Sequence, residues 1–298
     1  MLTQLECAPC IIDDLVGAIK LLNLPREIQK RILAEGLDYL SKNFNLQTIP
    51  SYHITQVHRI LKRISGIEVP FAELRSNCNK VGTEIANYLS RESEKLSNFD
   101  RFYYLARWAI AGNLLDFRTV GTGYGLPVSR IREKLKDNVQ EGLRLDHTNR
   151  LYKLLGEGGR KILYILDNVG EIAIDKLLIN KIVEFGNSVT TTVRGGPITS
   201  DATLNDAQQI NLSESGARII IAGPDTLGIS WKEKSKDLAD AISETDIVIT
   251  KGQANFYVFS EYKEEIPGNI FCLFTTKCEP VSGIFGSKGK INLAVQLK

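Results

Sequence analysis

The sequence predicts an α/β fold in which an all-helical domain, residues 1–155, precedes a mainly parallel sheet with helices on both faces, residues 156–298. In the first hundred residues, apolar side chains recur at intervals of three and four, and no convincing strand interrupts them. After about residue 155, short apolar and β-branched runs alternate with helical stretches, which is typical of parallel strands joined by crossover helices. A chain of 298 residues is long enough for one large domain or for two of ordinary size.

Five helical segments account for most of the first half. They are CIIDDLVGAIKLL, PREIQKRILAEGLDYL, SYHITQVHRILKRI, FAELRSNCNKVGTEIANYL and FDRFYYLARWAIAG. Pro25 suits the first turn of the second segment, and Gly112 favours the end of the fifth. A further helical segment, VSRIREKLKDNVQEGLRL, leads up to the sheet.

Six runs in the second half are candidate strands. They are KILYILD, SVTTTVRG, ARIIIAG, DIVITKG, NIFCLFTTK and INLAVQLK. The link before the last run, CEPVSGIFGSKGK, is rich in Gly and Ser and has no helical period, so we expect the final strand to run antiparallel at an edge. The predicted sheet is therefore Rossmann-like, with one antiparallel strand.

Composition excludes several classes of protein and partner. The net charge is only +2, so no nucleic-acid partner is indicated. The start, MLTQLECAPC, does not resemble a signal peptide, and no run approaches the roughly 18 apolar residues of a membrane helix. We therefore expect a soluble, cytoplasmic protein without a membrane partner. Its oligomeric state is left open.

The five cysteines are an odd number and are scattered along the chain, which favours reduced thiols over a disulfide framework. Cys7 and Cys10 are three residues apart on one predicted helix. Zinc usually needs four ligands and no second CxxC is present, so buried structural thiols are the favoured interpretation.

Other polar residues of the helical half carry no clear signal of function. His53, His58 and His147 are expected to be surface or packing residues. The cationic side chains Lys62, Arg63 and Arg75 are expected to lie on solvated helix faces.

Polar side chains follow several of the predicted strands. Asp167 and Asn168 come directly after the first strand, Arg194 follows the second, Lys251 the fourth and Lys277 the fifth. The carboxyl ends of parallel strands meet at one edge of a sheet, and ligands collect there beside helix amino termini. We therefore expect these residues to converge. Capping of the next helix is the alternative for the first pair, and a solvated position is favoured for Lys277.

The segment GPITSDATLNDAQQ adds two carboxylates, Asp201 and Asp206, the second at the start of a predicted helix. Carboxylate and amide oxygens are ligands for hard or borderline divalent cations, and the nearby lysines remain available for an anion. A phosphate group between metal and lysine is the ligand that this combination favours.

Four motifs together resemble those of the metal-dependent damage-control phosphatase family. They are GNLLD at 112–116, DNVGE at 167–171, SDATLNDA at 200–207 and KGQANF at 251–256. The resemblance covers nearly the whole chain, and the CxxC is similar to that of the microbial branch. It implies a helical module on a Rossmann-like domain. It also implies metabolite repair by hydrolysis of small phosphate monoesters, such as sugar phosphates or damaged phosphometabolites, with Co, Ni, Mn or Mg as cofactor.

The resemblance also assigns roles to individual residues. It implies three metal ligands: Asp167, Asn168 and Asp206. Lys251 would hold the phosphate, while Asn113 and Asp116 would line the pocket from the helical side. Family members are expected to have Asn at position 200, so Ser200 in this chain departs from the pattern. The attacking group stays open between a water molecule and Asp167.

Two other functions remain as alternatives. The first is an S-adenosylmethionine-dependent carboxyl methyltransferase, since VGTGYG at 120–125 has a glycine spacing found in cofactor loops. It follows a helix, however, and the turn after the first strand is DNVGE, where a cofactor-binding enzyme would need glycines. The second is a non-catalytic module that binds a phosphometabolite.

Overall fold

The computed structural model describes residues 1–116 and 128–298 and confirms the predicted fold class, helices first and then a sheet interleaved with helices. The helices are α1 Cys7–Leu21, α2 Arg26–Asn43, α3 Pro50–Ser65, α4 Ala72–Ser93, α5 Asn98–Ala111, α6 Val128–Glu141, α7 Thr148–Gly156, α8 Glu171–Glu184, α9 Leu204–Gln209, α10 Lys236–Glu244, α11 Gln253–Glu261 and α12 Glu279–Ile284. Short 3-10 helices span Gly112–Leu115, Leu212–Ser215 and Lys263–Glu265. Among the described residues, no helix is both long and apolar enough to cross a membrane.

One sheet of seven strands forms the centre of the second half. The strands are β1 Leu145–Asp146, β2 Lys161–Ile165, β3 Ser188–Val193, β4 Arg218–Ile221, β5 Ile247–Lys251, β6 Asn269–Thr275 and β7 Asn292–Gln296. Their order across the sheet is β1-β7-β6-β5-β2-β3-β4. All pairs are parallel except β6 with β7, which confirms the antiparallel direction of the final strand.

Two details of the last strand differ from the prediction. Its position at an edge is wrong, because Leu145 of β1 pairs with Leu293 on its outer side. The link before it contains the six-residue helix α12, with Pro280 in its first turn. Since β1 precedes residue 156, the sheet takes one short strand from the segment that was predicted to be helical. The domain boundary itself stays a prediction.

The two faces of the sheet carry two hydrophobic cores. Along β2, Ile162 and Tyr164 belong to the core that also contains the buried side chains of α1–α5 and α8, whereas Leu163 and Ile165 belong to the core on the opposite face. This alternation follows from the period of two in a strand. The helical half therefore packs directly on one face of the sheet.

Helix α4 approaches the turn before α8 very closely. A Cβ at Gly82 would overlap the carbonyl group of Gly170, and a Cβ at Gly170, which has φ +73°, would overlap the carbonyl group of Cys78. Glycine is needed at both positions for this backbone-to-backbone contact. The contact fixes the helical half against the residues that directly follow β2.

Candidate active site

The sheet reverses its winding direction between β2 and β5. From β2 the chain adds β3 and β4 on one side, and it then returns to place β5 on the other side. Ligands in open α/β sheets bind in the crevice at such a switch point. Asp167 and Asn168 follow β2, and Gly252 follows β5, at this crevice. With φ +78°, Gly252 lies so close to Asp167 that a Cβ would overlap the carboxylate.

A cavity of about 140 Å³ opens at this crevice. Five polar residues line part of it: Asp116, Asp167, Asn168, Ser200 and Lys277. The structure thus brings together residues from the helical half, from the end of β2, from the segment after β3 and from the end of β6. Lys251 and Asp206 are not among the described residues that line the cavity.

The five polar residues form a continuous chain of hydrogen bonds. Lys277 Nζ donates to Asp116 Oδ2 at 2.5 Å, and Asn168 Nδ2 donates to Asp167 Oδ2 at 2.6 Å. Between these pairs, Ser200 Oγ lies 2.7 Å from Asp116 Oδ1 and 2.8 Å from Asn168 Oδ1. A hydroxyl has one proton for these two acceptors. Two acceptor oxygens therefore compete for the single proton of Ser200, and the three oxygen atoms together form an arrangement that suits a bound cation.

Asp167 lies in an excess of negative charge. Burial raises the pKa of Asp167 well above its usual value, and the carboxylates of Asp201 and Glu171 raise it further, while Lys277 and Arg194 lower it only in part. Such a like-charge cluster favours either a proton on Asp167 or a cation beside it.

Asn113 connects the helical half to Asp167. It lies in the 3-10 helix that follows α5, and its Nδ2 donates to Asp167 Oδ2 at 2.9 Å and to Glu171 Oε2 at 3.3 Å. Among the described residues, the buried Oδ1 of Asn113 has no hydrogen-bond partner. Asn113 therefore orients Asp167 and keeps one acceptor available.

Lys251 lies behind the cavity wall and is fully buried. Its Nζ donates to Ala109 O at 2.7 Å, Glu171 Oε1 at 2.5 Å and Asp175 Oδ1 at 2.8 Å. Burial acts to lower the pKa of Lys251, but the two carboxylates outweigh it and the pKa is raised. All three N–H donors of the ammonium are used within the protein.

Asp206 is a structural residue of the α9 amino terminus. The backbone N–H and the hydroxyl of Thr203 donate to its Oδ2, and Arg75 also donates to Oδ2. The side chain of Thr203 accepts in turn from the backbone N–H of Asp206, which completes a capping box. Asn79 donates to Oδ1 at 3.0 Å. The carboxylate thus accepts four hydrogen bonds, three at Oδ2 and one at Oδ1. The prediction that Arg75 lies on a solvated face is wrong, because its side chain is only 4% exposed and joins α4 to this segment.

Asp201 lies beside Asn168, whereas Asp206 lies in the first turn of α9. The backbone of Asp201 pairs with that of Asn168, and its carboxylate accepts from Arg194 Nε at 2.9 Å, Thr199 Oγ1 at 3.0 Å and Gly228 N at 2.8 Å. These three bonds leave one acceptor position of the carboxylate unoccupied by described residues. Of the charged groups that act on Asp167, Asp201 acts most strongly.

Sequence reasoning undervalued two residues of the cavity, Ser200 and Lys277. Ser200 was discounted as a departure from a motif, although it precedes Asp201. Lys277 was expected to be solvated, although it follows β6 at the same edge as Asp167. Position at a strand end was the available signal for Lys277. The glycine motif at 120–125 lies outside the described residues.

Cys7, Cys10 and Cys278 also line the cavity. Cys7 and Cys10 are half-buried rather than fully buried as predicted. Burial raises the pKa of Cys7, and it raises that of Cys10 to about 12. Within residues 1–116 and 128–298, no group of three or more His, Cys, Asp or Glu side chains is arranged to hold a metal ion.

Comparison with known proteins identifies the family. The family model described as the damage-control phosphatase ARMT1-like domain matches residues 3–291. The chain belongs to this family. Two archaeal relatives bear the name damage-control phosphatase. The one from Archaeoglobus fulgidus is 31% identical over 94% of each chain, and the one from Pyrococcus horikoshii is 28% identical over 95% of this chain and 93% of its own.

A solved structure supports the same assignment. The crystal structure of a DUF89 family protein from Pyrococcus horikoshii matches all of this chain and all of its own, with a TM-score of 0.85 and 26% sequence identity. The resemblance to the damage-control phosphatase family that the sequence motifs indicated is thus confirmed over nearly the whole chain.

Proposed function

We propose that the protein is a metal-dependent phosphatase that hydrolyses small phosphate monoesters in the cavity at the sheet switch point. The observation that carries this proposal is the hydrogen-bonded chain from Lys277 to Asp167, which combines a cation with converging carboxylate, hydroxyl and amide oxygens. Family membership supports a phosphorylated substrate, because two relatives are named damage-control phosphatases.

The proposed cation ligands are Asp167, Asn168 and Asp201. Asp201 replaces Asp206 in the set suggested by sequence, because its backbone pairs with that of Asn168 and its carboxylate acts on Asp167 more strongly than the other charged groups do. The carboxylate of Asp206 instead accepts four hydrogen bonds at the start of α9. These oxygen donors are the kind that Mg²⁺ and Mn²⁺ prefer. A divalent cation bound there would neutralise charge on the phosphoryl oxygens.

Lys277 is the proposed phosphate-binding cation. In the described part of the chain, Asp116 is the acceptor that contacts its Nζ, and the side chain faces the cavity. Lys251 has no donor left for a substrate, so its proposed role is to hold Glu171 and Asp175. Glu171 in turn accepts from the backbone and side-chain nitrogens of Asn168. Lys251 therefore positions the β2 turn without contacting the substrate.

Asn113 and Asp116 form the wall contributed by the helical half. Asn113 fixes the rotamer of Asp167 through Oδ2. Asp116 holds the ammonium of Lys277 and the hydroxyl of Ser200. Both residues therefore orient groups that would contact a phosphate, which is a positioning contribution to catalysis.

The test is phosphate release by the chelator-treated and desalted protein. p-Nitrophenyl phosphate and a panel of metabolite phosphates are assayed with Mg, Mn, Co or Ni added singly. We expect release only with metal. Asp201→Asn should raise the metal concentration needed for half-maximal activity at least about tenfold, whereas Asp206→Asn should leave it unchanged per folded molecule.

Two results would contradict the proposal. One is a folded protein that releases no phosphate with any of the four metals, which would leave the binding-module alternative. The other is full activity in the presence of excess chelator. Calorimetric titration with S-adenosylmethionine tests the methyltransferase alternative in the same preparation.

A further inference from the structure

Beyond its polar residues, the cavity has apolar walls. Six of the described lining residues present apolar surface: Ile11, Pro50, Ile54, Leu227, Tyr257 and Pro280. These residues come from α1, α3, α11, α12 and the segment after β4. Several elements therefore contribute apolar surface around the polar residues. A group attached to a phosphate at Lys277 must pass along this surface.

The three thiols extend the apolar surface. Cys7, Cys10 and Cys278 line this cavity. The raised pKa of the Cys10 thiol keeps that thiol protonated near neutral pH. A protonated thiol behaves as a small hydrophobic group with only a weak donor. Cys10 therefore adds to the apolar wall and is a poor nucleophile or metal ligand at that pH.

The remaining polar groups of the wall already have partners. Gln253 Nε2 donates to Tyr257 Oη at 2.5 Å, and Gln253 Oε1 accepts from the backbone N–H of Lys277 at 2.6 Å. Asp14 contacts His58 Nε2 at 2.7 Å. Glu6 is exposed to solvent. Among the described lining residues, a hydroxylated substrate would thus find few unused donors or acceptors apart from the phosphate site and the solvent-exposed Glu6.

We propose that this cavity selects phosphate monoesters of apolar alcohols and discriminates against polyhydroxylated sugar phosphates. This inference rests on the phosphatase function proposed above and narrows its substrate class. Burial of a methylene group against apolar walls is favourable, whereas a hydroxyl group that is buried without a partner loses its hydrogen bonds to water. Discrimination should therefore appear in kcat/KM, which compares transition-state binding of two substrates.

The experiment compares alkyl and polyol phosphates of equal carbon number. Pentyl phosphate and ribitol 5-phosphate are assayed with the best metal, together with the alkyl series from methyl to pentyl phosphate. We expect kcat/KM to rise about fourfold per added methylene. The kcat/KM for pentyl phosphate should exceed the kcat/KM for ribitol 5-phosphate by at least about 100-fold.

A variant of the wall gives a matched control. Ile54 and Ile60 are both half-buried residues of α3, but only Ile54 lines this cavity. Ile54→Asn should reduce the alkyl-to-polyol ratio about tenfold or more, and Ile60→Asn should leave it unchanged. If Ile54→Asn fails to fold, Leu227→Asn makes the same change from the segment after β4.

The outcomes separate this inference from the phosphatase proposal. Equal or better turnover of ribitol 5-phosphate would overturn the apolar selectivity while the phosphatase function stands. If no phosphate ester is hydrolysed, the phosphatase function fails, and calorimetric titration with pentylphosphonate and ribitol 5-phosphate decides the selectivity. Tighter binding of pentylphosphonate to the wild type, lost in Ile54→Asn, would support it, and equal binding would overturn it.

Discussion

Replacement of Lys251 by Met should lower the stability of the protein strongly. Replacement of Lys277 by Met should instead lower phosphatase activity, with little effect on stability. Lys251 is fully buried together with Glu171 and Asp175, and its three donors all end on protein oxygens. Lys251→Met would leave two buried carboxylates without their cation. Removal of one partner from a buried ion pair typically costs about 3–5 kcal/mol.

A loss of about 3–5 kcal/mol is large compared with the free energy of unfolding of a typical domain. Domains are stable by about 5–15 kcal/mol, so Lys251→Met should remove at least about a fifth of the free energy of unfolding. At about 2 °C per kcal/mol, the melting temperature should fall by about 6–10 °C. Lys277 is 21% exposed and its partner Asp116 is 10% exposed. For Lys277→Met we therefore expect a loss below about 1 kcal/mol, but a fall in kcat/KM of at least about 100-fold.

The pH dependence of stability gives a second signature of Lys251→Met. Burial raises the pKa of Asp175 to about 7, and Lys251 holds it down against that effect. The folded protein then binds more protons than the unfolded chain between about pH 4 and pH 7, so the contribution of Asp175 to stability falls across that range and is constant above it. Without Lys251 the folded pKa rises further, and the loss of stability should continue above pH 7.

Urea denaturation at pH 6.5 and pH 8.5, together with steady-state kinetics on folded protein, measures both variants. Lys251→Met should be clearly less stable at pH 8.5 than at pH 6.5, while the wild type should change little through this group. The reasoning would be refuted by a Lys251→Met protein of wild-type stability whose KM for phosphate esters is raised. That result would restore Lys251 as the phosphate-binding lysine.

Four further substitutions test other parts of the structure. Gly252→Ala should lower kcat at least about 100-fold because its Cβ would displace Asp167, whereas Gly142→Ala, at φ +75° in open space, should cost about 1 kcal/mol of stability and leave kcat unchanged. Asp206→Asn should lower the free energy of unfolding by about 3 kcal/mol, measured in urea, since it leaves a buried arginine unpaired; wild-type stability would contradict this. Burial lowers the pKa of His53, so stability should fall as the pH drops below about 6.5, and His53→Gln should flatten that dependence in urea denaturation between pH 7.5 and pH 5.5.

The sequence indicated where polar side chains converge, but it did not indicate which of them face the cavity. The strands and their polar ends could be recognised because a buried strand is a local pattern, and parallel strands necessarily place Asp167 and Lys277 at one edge. The direction of a long side chain is not local. Lys251 and Lys277 both end strands, yet Lys251 lies among carboxylates of α8 and Lys277 faces the cavity.

The proposed exchange of Asp206 for Asp201 among the metal ligands also rests on packing that the sequence does not show. Asp201 and Asp206 are five residues apart in one segment, and composition does not distinguish them. Their roles differ because Arg75 and Asn79, one turn apart on α4, reach Asp206 from more than a hundred residues away in sequence. The spacing of these two side chains on one helix face was visible, but their partner could be identified only from the packing of α4 on the sheet.

This packing makes the helical half part of the catalytic geometry. The position of Asp167 depends on an amide from Asn113, on the glycine that follows β5, and on the turn that α4 contacts at Gly170. Two of these constraints, from Asn113 and from α4, reach the β2 turn from the helical half, so neither exists in an isolated fragment of the sheet half. Because Asp167 carries an unfavourable charge when buried, its position requires all three constraints at once. We therefore infer that the site forms only when the whole chain has folded, and that activity should be lost in the same cooperative transition as the helices that surround it.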